Sequence, residues 1–170
     1  MDYDKRVEYV SSYRVFGLYQ ATLRSIILGI KFHHSKSLAQ RLGLAIKDHL
    51  WEFIKEMEPD LITFPPLNIR RLWTRGFNHV EEVLKGAGVP YIGVFKRVGF
   101  SPPMARLSKE KRQKAVMEYT IREDMLDFLE DKRVLLVDDI LTTGATLSRL
   151  AYLLLSVGAK EVYAYIIAKD

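Results

Sequence analysis

Two adjacent aspartates, Asp138 and Asp139, are the residues whose type and spacing most clearly predict chemistry in this sequence. The four apolar residues before them, 134–137, predict a buried parallel strand, because a strand covered on both faces loses its polar–apolar alternation. In an open α/β sheet, ligands bind outside the carboxyl ends of the strands, where these two side chains would stand. Carboxylates hold Mg²⁺ or accept hydrogen bonds from sugar hydroxyls.

A turn rich in hydroxyl groups follows the aspartates, and a helix is predicted to start almost directly after it. The turn contains Thr142, Thr143, Gly144, Ala145 and Thr146. Gly144 permits a positive φ angle or a close backbone approach, and the threonines add hydroxyl donors. The free N–H groups of a helix N-terminus suit a phosphate. The turn and the aspartates together predict a site for a phosphorylated sugar, and the alternative is a solvated aspartate pair before a threonine-capped helix.

The composition fits a single compact domain with a polyanionic ligand. The 170 residues include 26 basic and 21 acidic side chains, giving a net charge of +5, which suits a diphosphate or nucleic acid. The chain has no cysteine, which excludes disulfides and thiolate metal sites. It also has neither a P-loop motif nor a Rossmann glycine motif after a strand. We find no signal peptide, and the most apolar early run is too short to span a membrane, so we expect a cytoplasmic protein.

Strands that alternate with helices predict an α/β fold with an open, mostly parallel sheet flanked by helices and a small N-terminal region of helix and strand. Strands are predicted at about 7–16, 60–65, 91–95, 134–137 and 162–168, and helices at about 19–32, 37–57, 77–85 and from 147 to before Gly158. We expect one domain over 1–170, with 1–58 as an N-terminal subregion and 96–114 as a flexible basic loop.

Residues 134–146 resemble the phosphoribosyl diphosphate (PRPP) motif of the type I phosphoribosyltransferases. In that motif an apolar run, two acidic residues, an apolar residue and a Thr/Gly-rich loop follow one another. The resemblance implies that Asp138 and Asp139 face the ribose hydroxyls and a Mg²⁺ cofactor, held directly or indirectly, and that residues 142–146 wrap the 5′-phosphate. Purine-salvage members carry an aspartate, the proposed general base, where this chain has Thr142, so purine salvage is disfavoured.

The loop after the predicted strand 60–65 resembles one branch of that family, the ComF-like proteins of bacterial competence. It contains three arginines, and its Arg75-Gly76-Phe77-Asn78 run implies a diphosphate-binding loop at Arg75 and Gly76, since guanidinium groups bind phosphate bidentately. The alternative places Arg75 on the surface beside an acidic side chain. The predicted helix ending at Lys31-Phe32 also resembles this branch. The chain departs from the branch in lacking its four-cysteine zinc module and in having His79, Met104 and Ala115 where two Gln and one Asn are usual.

Residues 96–114 are strongly basic and surround Ser101-Pro102-Pro103. Type I phosphoribosyltransferases have a flexible loop at this position, which implies that Lys109, Lys111 and Arg112 close over the diphosphate and exclude water. Two alternatives remain open, namely a solvated basic surface and a contact with nucleic acid.

These features support two functional hypotheses. The first is PRPP binding with Mg²⁺ and transfer of the phosphoribosyl group to an acceptor, in a ComF-like role in DNA uptake; neither the acceptor nor a catalytic residue is identified. The second is a non-catalytic module that binds single-stranded DNA or a DNA-uptake partner. We expect a homodimer in either case.

Overall fold

A four-stranded parallel sheet forms the centre of the protein in a computed structural model that describes residues 7–67, 76–98 and 119–170. The strands within these ranges are β1 Ser12–Leu18, β2 Leu61–Thr63, β3 Phe95–Arg97, β4 Tyr119–Ile121, β5 Arg133–Leu141 and β6 Glu161–Lys169. The sheet order is β1-β6-β5-β2, with all three neighbouring pairs parallel. The predicted parallel sheet is therefore confirmed, although β1 begins at Ser12 instead of residue 7.

The helices are α1 Ala21–His33, α2 Lys36–Met57, α3 His79–Gly86, α4 Leu126–Leu129 and α5 Ala145–Ser156, with a 3₁₀ turn at Glu123–Met125. They cover both faces of the sheet. Alternate β5 residues face opposite sides: Leu135 and Val137 pack in a core with α1, α2 and α3, whereas Val134 and Leu136 pack in a second core with α5. This burial on both faces explains the continuous apolar run before the aspartates.

The strand predicted at 91–95 is misplaced. Residues 91–94 have no strand conformation, and β3 begins at Phe95 and pairs with β4 in a separate antiparallel sheet. The Ile92 N–H still donates to the Ile62 carbonyl at 2.9 Å, so the segment before β3 lies beside β2. The prediction failed because an apolar run does not reveal that its partner strand lies far along the chain.

Helices α2 and α3 approach each other closely at two glycines. A Cβ atom on Gly43 would overlap the Val83 carbonyl, and one on Gly86 would overlap the backbone of Gln40. This contact positions α3, whose N-terminus borders the end of β5.

None of the helices within the described ranges is both long enough and apolar enough to cross a membrane.

Candidate phosphosugar site

The two aspartates stand at the carboxyl end of β5, as the sequence predicts. Asp138 lies opposite Ile166 of β6 in the parallel register. The Asp139 N–H donates to Asp138 Oδ1 at 2.8 Å, and the Ile140 N–H donates to Asp139 Oδ1 at 2.8 Å. These backbone bonds fix the orientation of both carboxyl groups, leaving the second oxygen of each for other partners.

Asp139 is held by two side chains from distant parts of the chain. Its Oδ2 atom lies 2.8 Å from Lys31 Nζ at the last turn of α1 and 2.7 Å from His79 Nε2 at the first turn of α3. All three side chains are largely shielded from solvent, with Asp139 15% and His79 12% exposed. Because both partners supply N–H donors to one oxygen, Asp139 is held in its charged form and fixed in place.

The two neighbouring carboxyl groups have opposite pKa shifts. Burial, and then the adjacent charge of Asp139, raises the pKa of Asp138 well above its usual range. Burial also acts to raise the pKa of Asp139, but the His79 hydrogen bond and the Lys31 charge more than offset it and hold that pKa far below its usual range. The pair therefore carries most of its negative charge on Asp139.

The hydroxyl-rich turn forms the entry to α5. Gly144 adopts φ 79°, in the left-handed region that favours glycine, immediately before the first helical residue. The Thr143 hydroxyl accepts from the Ala145 N–H at 3.3 Å, while Thr142, Thr143 and Ala145 are exposed. The first-turn N–H groups of α5 and the threonine hydroxyls thus lie beside the aspartates and can receive an anion.

Asn78 connects the loop after β2 to the start of α3. Its Oδ1 accepts from the N–H groups of Val80 and Glu81 at 3.0 and 3.3 Å, which caps the helix. Its Nδ2 donates to the Pro65 carbonyl at 3.1 Å. By fixing the first turn of α3 against the end of β2, Asn78 places His79 within reach of Asp139.

These groups surround one cavity of about 240 Å³. Its wall within the described ranges consists of Lys31, residues 65–67, residues 78–80, Arg97, Tyr119, residues 138–147 and Ile166. The structure therefore brings together all seven residues predicted from 138–146. Gly76 lies two residues before Asn78 at φ 77° and is exposed, outside the cavity wall. Arg75, Lys109, Lys111 and Arg112, with most of the predicted loop 96–114, lie outside the described residues.

Sequence reasoning missed Lys31, His79 and Arg97 as members of the site. A weak signal existed for two of them: His79 replaces a glutamine usual in the resembled branch, and Lys31 belongs to the helix end that resembles that branch. The replacement of glutamine does not abolish hydrogen bonding at position 79, because His79 Nε2 lies 2.7 Å from Asp139 Oδ2. Arg97 belongs to the basic segment 96–114 that the sequence predicts as a flexible loop over the diphosphate, but it is not singled out there, and the structure places it at the end of β3.

The donor set fits a Mg²⁺ ion that is shared with a ligand. Among the described residues no group of three or more His, Cys, Asp or Glu side chains could enclose a metal ion. Asp138 and Asp139 could still contribute one or two oxygens, and Mg²⁺ in proteins commonly completes its shell with substrate phosphates and water. The site thus suits an ion that arrives with a phosphorylated ligand better than one bound by protein alone.

Comparison with known proteins identifies a family. The model of the phosphoribosyl transferase domain matches residues 83–170, more than half of the chain. Competence protein F of Haemophilus influenzae is 28% identical over 165 residues, covering 91% of this chain and 71% of that protein. Competence protein ComFC of Streptococcus pneumoniae is 29% identical over 156 residues, covering 91% of this chain and 66% of that protein. The solved structure of an allosteric regulatory enzyme of purine biosynthesis is 26% identical in sequence, with a TM-score of 0.46. The match covers 78% of this chain and 25% of the chain of that enzyme.

Proposed function

We propose that this chain, which belongs to the phosphoribosyltransferase family in its ComF-like branch, binds PRPP together with Mg²⁺ in the cavity at the end of β5. The observation that carries the proposal is the joint placement of Asp138, Asp139 and the turn 142–146 around that cavity. A phosphorylated ribose has hydroxyls that carboxylates can bind and a phosphate that a helix N-terminus can bind, spaced along one small molecule.

Each part of PRPP has a complementary group in the proposal. The backbone N–H groups and hydroxyls of 142–146 receive the 5′-phosphate, which orients the sugar. Asp139, held by Lys31 and His79, accepts hydrogen bonds from the ribose hydroxyls. Asp138 supplies a further oxygen toward the hydroxyls or the metal. Arg75 and Gly76, assigned from the sequence, bind the diphosphate. Mg²⁺, when bound with PRPP, would neutralise charge on the leaving diphosphate.

We further propose that the chain transfers the phosphoribosyl group to an acceptor. The bond from the anomeric carbon to the diphosphate oxygen breaks, the diphosphate leaves with the electron pair, and an acceptor nucleophile forms the new bond. The residues of the cavity would contribute by holding the sugar in one orientation and by stabilising the charge of the leaving group. Thr142 supplies no carboxylate base where purine-salvage enzymes have one, so we expect the acceptor to be something other than a free purine base.

A role in DNA uptake is supported by the two relatives, which are named as competence proteins. The second candidate function is a non-catalytic module that binds single-stranded DNA or a DNA-uptake partner, and the net charge of +5 favours a nucleic-acid partner. A non-catalytic module could also bind PRPP in this cavity, because binding does not require transfer of the phosphoribosyl group.

Calorimetric titration of the protein with PRPP tests the proposal. We expect binding in the presence of Mg²⁺ and much weaker binding with excess chelator. Absence of PRPP binding under both conditions would refute it. Release of diphosphate in a screen across candidate acceptors then separates the enzyme from the binding module. Light scattering on the same sample tests the homodimer that we propose for the solution state.

A further inference from the structure

Arg97 lines the cavity but has no role in the PRPP contacts proposed above. It lies on β3 directly across from Tyr119 on β4, and its guanidinium carbon stands 5.4 Å from the centre of the Tyr119 ring. Both side chains line the cavity with the turn 142–146. This cation–π contact with the ring restrains the position of the guanidinium group.

The Arg97 Nε atom is buried and has no hydrogen-bond acceptor among the described residues. Leaving a buried charged donor unpaired is unfavourable, so such a donor on a cavity wall indicates a ligand that supplies the acceptor. Lys31 and His79, the other basic residues found on the described part of the wall, both bind Asp139. Arg97 differs from these two residues because no contact between it and the aspartates is found in the described structure.

The position of β3 and β4 indicates which end of the ligand Arg97 meets. Phe95 and Ile121 pack in the same core as Leu147 and Leu150 of α5, on the face of the sheet opposite α1, α2 and α3. Arg122 fixes the base of this small sheet, because its Nη1 donates to the Gly93 carbonyl at 2.8 Å and its N–H donates to the Val94 carbonyl at 2.8 Å. Arg97 is thus held on the α5 side of the cavity.

The turn at the start of α5 has no positive charge of its own, since residues 142–146 are three threonines, a glycine and an alanine. A phosphate dianion bound there would meet backbone N–H groups and hydroxyls but no cation from the turn. We propose that Arg97, stacked on Tyr119, provides that cation and binds the 5′-phosphate of the ligand. The proposal deepens the function proposed above and rests on it for the identity of the ligand.

The test compares two variants of Arg97 with a matched arginine elsewhere. Arg97→Met removes the charge and keeps an apolar stem, whereas Arg97→Lys keeps the charge and loses the planar fork. Arg149→Met is the control, because Arg149 also stacks on a tyrosine (5.3 Å to the Tyr152 ring) and also has a buried Nε without an acceptor among the described residues, but lies outside the cavity wall. Thermal unfolding of each variant shows whether it is folded. If Arg97→Met does not fold, the comparison is made with Arg97→Lys.

Three probes are titrated by calorimetry: ribose 5-phosphate, inorganic diphosphate with Mg²⁺, and PRPP with Mg²⁺. We expect Arg97→Met to weaken ribose 5-phosphate and PRPP binding by a similar factor, about tenfold or more, with Arg97→Lys intermediate and diphosphate unchanged. Unchanged ribose 5-phosphate binding, or a loss confined to diphosphate, would overturn the proposal while leaving PRPP binding intact. If the wild-type protein binds ribose 5-phosphate in an Arg97-dependent way but not PRPP, the proposed function fails and the role of Arg97 stands. Binding of none of the probes overturns both.

Discussion

Asp138 and Asp139 are neighbours in sequence but have different surroundings, and this difference defines what each residue can do. Asp139 binds Lys31 and His79 through one oxygen and the Ile140 N–H through the other, so its position is fixed before any ligand arrives. Asp138 accepts the Asp139 N–H, shares a hydrogen bond with the Asp139 side chain and lines the cavity, with no hydrogen-bond partner from α1 or α3 found within the described structure. We infer that Asp139 orients the site and that Asp138 adapts to the ligand.

Replacing both aspartates with asparagine tests their assignment to PRPP. The double variant keeps the shape of the site and removes its charge, so we expect PRPP affinity measured by calorimetry to fall by about 1–3 kcal/mol, the scale of hydrogen bonds to charged groups. Asp124→Asn is the control, because Asp124 pairs with Arg122 on the surface and is outside the cavity wall. Unchanged affinity in the double variant would show that PRPP does not use these carboxylates.

Arg75 yields a prediction from the sequence alone, since it lies outside the described residues. Arg75→Lys should impair diphosphate binding and leave ribose 5-phosphate binding largely intact, because only the diphosphate needs a bidentate fork. Arg24→Lys, on the exposed surface of α1, serves as the control. Equal losses for both ligands would place Arg75 away from the diphosphate. The expected pattern is the reverse of that for Arg97, so the two arginines can be told apart.

The sequence predicts the contiguous part of the site and not the part assembled by folding. Asp138, Asp139 and 142–146 follow one another at the end of one strand, where chain order alone places them together. Lys31 and His79 reach Asp139 from the end of one helix and the start of another, and their meeting depends on how α1 and α3 pack on the sheet. Arg97 depends in addition on the pairing of β3 with β4, which the sequence did not indicate.

The close contact of α2 with α3 is the packing that positions His79. Gly43→Ala should reduce the free energy of unfolding by about 1–3 kcal/mol, because the new Cβ would overlap the Val83 carbonyl and the helices must move apart. Gly29→Ala in α1 is the matched control, since its Cβ would meet only the flexible end of Leu38 at 3.2 Å. We expect Gly29→Ala to be neutral or to stabilise by about 0.5–1 kcal/mol in urea unfolding. Equal effects of the two substitutions would contradict the close contact.

The same contact buries a carboxylate, which should make stability depend on pH. Glu82 is 3% exposed and accepts from Gln40 Nε2 at 2.7 Å and from Lys85 Nζ at 3.1 Å. Burial acts to raise the pKa of Glu82, but these hydrogen bonds and the nearby lysines outweigh it and hold the pKa below its ordinary value of 4.5.

A carboxyl group with a lowered folded-state pKa stabilises the protein above its unfolded-state pKa and loses that contribution as the pH falls through the folded-state value. Glu82→Gln should therefore be less stable than the wild type at neutral pH, and the difference should shrink as the pH falls below 4.5. Urea unfolding across this range measures both curves. Parallel curves would mean that Glu82 contributes nothing through its charge.

The excess positive charge of the protein is concentrated in one segment. Residues 96–114 contain seven basic side chains and one acidic one, Glu110, an excess large enough to account for the net charge of +5 of the chain. A single-domain organisation over 1–170 stays a prediction, as does the role of this segment, because residues 99–118 lie outside the described structure. The charge can serve a diphosphate or a nucleic acid, and these alternatives correspond to the two candidate functions.

Changing Lys109, Lys111 and Arg112 together to alanine separates the alternatives. If the segment closes over PRPP, the triple variant should lose PRPP consumption more than PRPP binding, because closure stabilises the transition state preferentially. The control is a triple alanine variant of Arg41, Lys47 and Lys55, which removes the same charge from exposed positions on α2.

If the segment instead binds single-stranded DNA, the first triple variant should lose affinity for oligonucleotides of unrelated sequence while PRPP binding is kept. Its salt dependence should also decrease, by about 0.7 in the logarithmic slope for each DNA phosphate that the variant no longer binds. The α2 variant should retain the DNA affinity and its salt dependence. A loss shared by the two variants would reflect net charge and not a site.

We favour closure over PRPP, because the segment begins immediately after Phe95 in β3, and Arg97 on the same strand lines the cavity. Unchanged PRPP turnover and unchanged DNA affinity in the first variant would leave the segment without either role.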